Sequence, residues 1–100
     1  MSNHDLSIWI QPRVGQMSVP LEQILKIISE ANQNGVESVI FDGPEPTQHP
    51  YLRKMVEHAK SLGMKVTIYT HGGSRPRYYR NLTQAGANEI IFIGQNSEPG

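Results

Sequence analysis

The chain has 100 residues, nine basic and nine acidic side chains, a formal net charge of zero and no cysteine. That length is one domain, burying roughly 65% of its extended surface. The charge balance argues against bulk attraction to nucleic acid or an anionic membrane. Without cysteine the chain has no disulfide, thiol nucleophile or thiolate metal ligand, so any metal would fall to its four histidines and its carboxylates. No apolar run approaches the ~18 residues of a spanning helix, and Met1-Ser2-Asn3-His4-Asp5 does not read as a signal peptide. A soluble, cytoplasmic protein is expected.

In chain order, Leu6 to Ile10 reads as the first strand. Pro20 to Asn34 carries Leu21, Ile24, Leu25, Ile28 and Ala31 on one helical stripe, with Gly35 as the stop. Ser38 to Phe41 is a second strand, and Pro50 opens a helix to Leu62 with Leu52, Met55, Val56 and Ala59 inward. Lys65 to Thr70 is the third strand. Ser74 is placed to cap a third helix over 75–85, with Tyr78 or Tyr79, Leu82 and Ala85 facing in. Glu89 to Ile93 is the fourth strand, followed by a polar tail. Met55 is the one methionine expected in the core, and neither His4 nor His58 is assigned a role.

The alternation predicts a single α/β domain, βαβαβαβ, with four parallel strands and right-handed crossovers. Two architectures satisfy it. One is a small flavodoxin-like, doubly wound sheet; the other is a half-barrel segment with all helices on one side. The half-barrel leaves Trp9, Tyr69 and either Ile90 or Ile91 on a face no helix covers, and two strand edges open. Trp9, Tyr69 and Ile91 are therefore candidate interface residues.

The stretch from Gly35 to Pro50, with Gly43-Pro44-Glu45-Pro46 and His49-Pro50, resembles the radical S-adenosylmethionine enzymes. In that family the second strand runs into a Gly-Gly-Glu-Pro turn, then a His-Pro that opens the next helix. Lys65 to Gly72 is similar to the family's third strand and its Thr-Asn-Gly turn, with His71 in the Asn position. The resemblance implies the first half or so of a partial (βα) barrel. It also implies three cysteines, Cys-x3-Cys-x2-Cys, holding a four-iron cluster; that spacing falls here on Val14, Ser18 and Leu21, none of which replaces a thiolate. Radical chemistry is therefore excluded and no cofactor is expected. The family's turn receives the amino group of S-adenosylmethionine. Glu45 offers an acceptor for it, but Pro44 removes a backbone donor and restricts Gly43, which argues against retained binding.

Ligands of such folds gather at the carboxyl ends of the strands, here Gln11, Arg13, Asp42, Glu45, His49, His71, Ser74 and Arg75. Asp42, Glu45, His49 and His71 are the candidate acid–base set. No His-x3-His or His-x-His spacing supports a metal site. Gly43 and Glu45 in one loop and Gly72, Gly73, Ser74 and Arg75 in the next are the candidate ligand-binding residues. The second group has the makings of an anion site that Arg75 or Arg77 closes, or of a plain turn with a capping serine. Arg75, Arg77 and Arg80 with Tyr78 and Tyr79 form a basic–aromatic patch of the kind that stacks on nucleobases, but the balanced charge speaks against nucleic acid. The expected function is a non-redox binding or scaffold protein acting through self-association, as a homodimer, or through a partner protein that covers the open face. The alternative is a small cofactor-independent lyase, isomerase or hydrolase built on the acid–base set.

Overall fold

A computed structural model describes residues 5–10 and 20–93. Its elements are β1 (Asp5–Trp9), α1 (Leu21–Gln33), β2 (Ser38–Asp42), a 3₁₀ turn (Pro46–Gln48), α2 (Leu52–Ser61), β3 (Lys65–Thr70), α3 (Pro76–Ala85) and β4 (Glu89–Phe92). All four strands are parallel and stand in the order β1-β2-β3-β4. Each strand lies beside its successor in the chain, so same-handed crossovers put all three helices on one face. This overturns the doubly wound alternative, whose strand order reverses and whose helices cover both faces.

A period of two, clearest along β1 and β2, divides core from open face. Ile10 of the first strand segment, Val39 and Phe41 of β2, and Val66 and Ile68 of β3 are buried under the helices. They meet Ile24 and Ile28 of α1, Leu52, Met55, Val56 and Ala59 of α2, and Leu82 of α3. The opposite side chains form rows fixed by the register: Trp9 beside Asp42, Tyr69 beside Ile91. Trp9 is 62% exposed and Ile91 36%, as expected for a sheet covered on one side. Among the described residues no helix is long and apolar enough to cross a membrane.

The three helices end alike. Val36 N–H reaches the Ala31 carbonyl and Gly35 N–H that of Asn32; Met64 pairs with Ala59 and Gly63 with Lys60; Ala87 pairs with Leu82 and Gly86 with Thr83. Each is a Schellman stop with a positive-φ glycine followed by an apolar residue turned back onto the helix. This geometry puts Met64, 1% exposed, in the core, correcting the assignment of Met55 alone.

Helix starts differ more from expectation. The second helix begins at Leu52 rather than Pro50, because Pro46–Gln48 first make a 3₁₀ turn and the His49 carbonyl accepts the Leu52 N–H. The third begins at Pro76, a residue suited to the first helical position, with Arg75 as the cap and no side-chain capping bond. Ser74 is therefore not the cap. His58 is placed as well: its Nε2 lies 2.7 Å from Ser29 Oγ, joining α2 to α1.

Candidate functional site

The loops after β2 and β3 meet at the carboxyl end of the sheet, and Glu45 joins them. Past Asp42 the chain turns at Gly43, with φ +136°, where an added Cβ would stand 2.3 Å from the Ile10 carbonyl oxygen. Only glycine lets β1 and this loop pass so closely. The turn sends the Glu45 side chain inward, 9% exposed, toward the end of β3. Its Oε2 accepts the hydroxyls of Thr47 and Thr70, and its Oε1 the His71 N–H at 2.9 Å. Burial alone would raise the Glu45 carboxyl, but these hydrogen bonds outweigh it and hold the group below its ordinary value.

The bonding continues outward. Thr70 Oγ1 also accepts the Gly72 N–H at 3.1 Å. Ser74 donates its hydroxyl to Thr47 Oγ1 at 3.2 Å, and its N–H goes to the Tyr79 phenol oxygen at 3.1 Å. The Ser74 hydroxyl thus fastens one loop to the other. His71 is exposed, with Nδ1 3.1 Å from the Pro44 carbonyl and 3.8 Å from Glu45 Oε1. Gly72 and Gly73 have positive φ and open space around them, and Arg75 is exposed.

The acid–base set is not brought to one point. Glu45 and His71 adjoin, but Asp42 lies on the open sheet face, where its Oδ1 accepts the Gly43 N–H at 2.8 Å. His49 is 8% exposed, and its Nδ1 accepts the Tyr51 N–H at 3.0 Å, in the turn that leads into α2. Burial holds its imidazole below the ordinary value. Among the described residues no three His, Asp or Glu side chains stand close enough to hold a metal. Gln11, Arg13, Val14 and Ser18 lie outside the described residues. Thr47 and Thr70 were not singled out from the sequence. Thr70 carried a signal, being the third residue of the Val66, Ile68, Thr70 alternation, a hydroxyl at a core position that needs a buried partner.

A half-barrel sheet with a Gly-Pro-Glu-Pro turn at its carboxyl end belongs to a known class. The model of the radical SAM superfamily matches residues 3–97, and the chain belongs to that superfamily. It is similar to a PqqA peptide cyclase of Streptomyces rochei, 32% identical over 79 residues, which are 78% of this chain and 22% of the relative. It is also similar to an S-adenosylmethionine-dependent nucleotide dehydratase of Flammeovirga pacifica, 34% identical over 53 residues, 53% of this chain and 18% of the relative. A dehydratase of the same description from Lacinutrix mariniflava is 32% identical over 62 residues, 62% of this chain and 13% of the relative. The aligned part is thus 22% or less of each of these curated relatives.

The residues present do not fit an iron–sulfur cluster. These 100 residues contain no cysteine, and Leu21, where the family spacing sets its third thiolate, opens α1 and packs against the core. They also fit poorly the ammonium of S-adenosylmethionine. The Glu45 carboxylate has about four acceptor positions, and three are taken by donors of its own chain.

Proposed function

We propose that this chain is a cluster-free binding module of the radical SAM superfamily, and that it works by self-association, two copies covering each other's open sheet face. The observation that carries this reading is the sheet face that no helix covers among the described residues, with Trp9 and Ile91 exposed on it and β1 and β4 at the two ends of the strand order. Leaving such side chains in water forfeits roughly 25 cal/mol per Å² of apolar surface, and open edges present unpaired backbone groups. A two-fold axis along the strands brings β4 of one copy beside β1 of the other in the parallel sense, making eight strands. Asp42, the last residue of β2, then sits at the rim, where water reaches its carboxylate. An acid–base enzyme is less well supported, because Glu45 is engaged in tying the two loops together, His49 bonds within its own turn, and Asp42 lies apart from them.

Light scattering over a concentration series tests the reading. The expected mass is twice the 11.2 kDa of one chain, falling to the single-chain value for Trp9→Asp with the helical circular dichroism unchanged. A folded wild-type monomer at every concentration would overturn self-association and give the face to a different polypeptide.

A further inference from the structure

A second concave surface lies away from the open sheet face, between the 3₁₀ turn that precedes α2 and the first turns of α3. It is an open cleft of about 870 Å³, within the range of small-ligand sites, and Thr47, His49, Arg75, Arg77, Tyr78 and Arg80 are among its lining residues. Among the described residues no acidic side chain lines it. The Arg and Lys ion pairs among the described residues are Arg53–Glu57 and Lys65–Glu89, so Arg75, Arg77 and Arg80 bring three uncompensated guanidinium groups to one cleft of a chain with no net charge.

Two further donors are present. His49 is more than nine-tenths buried, and its Nδ1 accepts the Tyr51 N–H, which assigns the ring proton to Nε2. That Nε2–H has no acceptor among the described residues, an arrangement that costs free energy unless a ligand or water supplies one. At the start of α3, Pro76 has no N–H, and the amides of Tyr78 and Tyr79 both turn to the Arg75 carbonyl. The Arg77 amide has no such partner and stands at the positive end of the helix. Tyr78, half-buried and packed against the core, forms part of the wall.

We propose that this cleft binds the phosphate end of a small molecule of nucleotide size, with Arg75, Arg77 and Arg80 neutralising the anion and the His49 Nε2–H and Arg77 amide directing it. A long polyanion fits less well, because the positive charge is confined to one end of one short helix and the whole chain is neutral. The site is independent of the sheet face on which self-association is proposed.

The test is an amide NMR titration at low ionic strength with three probes: pyrophosphate, ADP and a short single-stranded oligonucleotide. Pyrophosphate and ADP are expected to move the amides of 47–49, 73–75 and 77–81, ADP binding the tighter. The Arg75→Ala/Arg80→Ala double variant should lose about tenfold or more in affinity, and His49→Gln should weaken binding with the remaining amide pattern intact. Arg53→Ala, which removes an exposed arginine of α2, and Trp9→Asp should bind as wild type. The proposal is overturned if neither phosphate probe shifts these amides at ~5 mM, the concentration of a binding free energy near −3 kcal/mol. It is equally overturned if the double variant retains full affinity, or if the oligonucleotide binds more tightly than ADP.

Discussion

Gly43→Ala is expected to destabilise the fold by about 3 kcal/mol or more, from two causes that add. The residue holds φ at +136°, a backbone region costly to any side chain, and its Cβ would stand 2.3 Å from the Ile10 carbonyl oxygen and 3.0 Å from the Ile10 nitrogen. Those atoms are backbone, and Ile10 N–H is itself bonded to the Asp42 carbonyl at 2.6 Å, continuing the β1–β2 ladder. Relief therefore requires β1 and β2 to part. Gly86→Ala is the informative comparison. There φ is +131° and the added carbon would stand 2.6 Å from both Cβ and Cγ of Lys60; the Cγ can rotate away but the Cβ is fixed to the α2 backbone, so part of the clash adds to a backbone strain of about 1–3 kcal/mol. Gly72→Ala and Gly73→Ala meet no neighbouring atom and should cost no more than that strain. Urea unfolding of the four variants gives the order directly.

Removal of the Glu45 carboxylate is the second large effect. Glu45→Ala leaves the Thr47 and Thr70 hydroxyls and the His71 N–H facing a buried gap, a loss of about 3 kcal/mol for hydrogen bonds to a charged acceptor. The same group sets an acid limit on stability. Its folded-state value lies below the ordinary 4.5, so its contribution is fully present above that pH and fades as pH falls through the lowered value. His49 acts in the same direction at higher pH. Burial depresses its imidazole below 6.5, so the fold favours the neutral ring and loses that preference as the solution is acidified through and below this value. The midpoint of urea unfolding should therefore fall in two stages on acidification. Glu45→Gln should remove the lower stage and His49→Gln the upper. A single stage that survives both substitutions would contradict the assignment.

The strands were legible because each is a short β-branched or aromatic run bounded by turn residues, and the open face because Trp9, Tyr69 and Ile91 keep the alternation opposite to Ile10, Ile68 and Ile90. The helix ends were legible as glycines. What they did to the next residue was not, and Met64 went unplaced because its burial follows from the hydrogen bonds of the stop rather than from a periodic stripe. The site was read less well. Thr70 and His71 lie 25 and 26 residues from Glu45 in the chain, and nothing local to Gly43-Pro44-Glu45-Pro46 says that the carboxylate turns toward β3. Ser74 looked like a helix cap because serine before a helical pattern usually is one. Here the Thr47 hydroxyl draws its side chain away, and proline at the first helical position leaves one amide fewer to cap.

The order β1-β2-β3-β4 has a further consequence, for how the sheet comes into being. Each strand is templated only by the one before it, and every closure spans a single βα unit, the longest of the hydrogen-bonded ties along the ladder joining Ser38 to Asp5 across 33 residues. Entropy is therefore given up in similar small instalments, and no step waits for distant ends of the chain to find each other. The sheet is also graded. Loss of β4 removes one row of partners and spares the rest, whereas loss of β2 severs β1 from the remainder of the sheet. Cooperativity thus resides in the middle of the sheet, and the outer strands are the places where the molecule opens first.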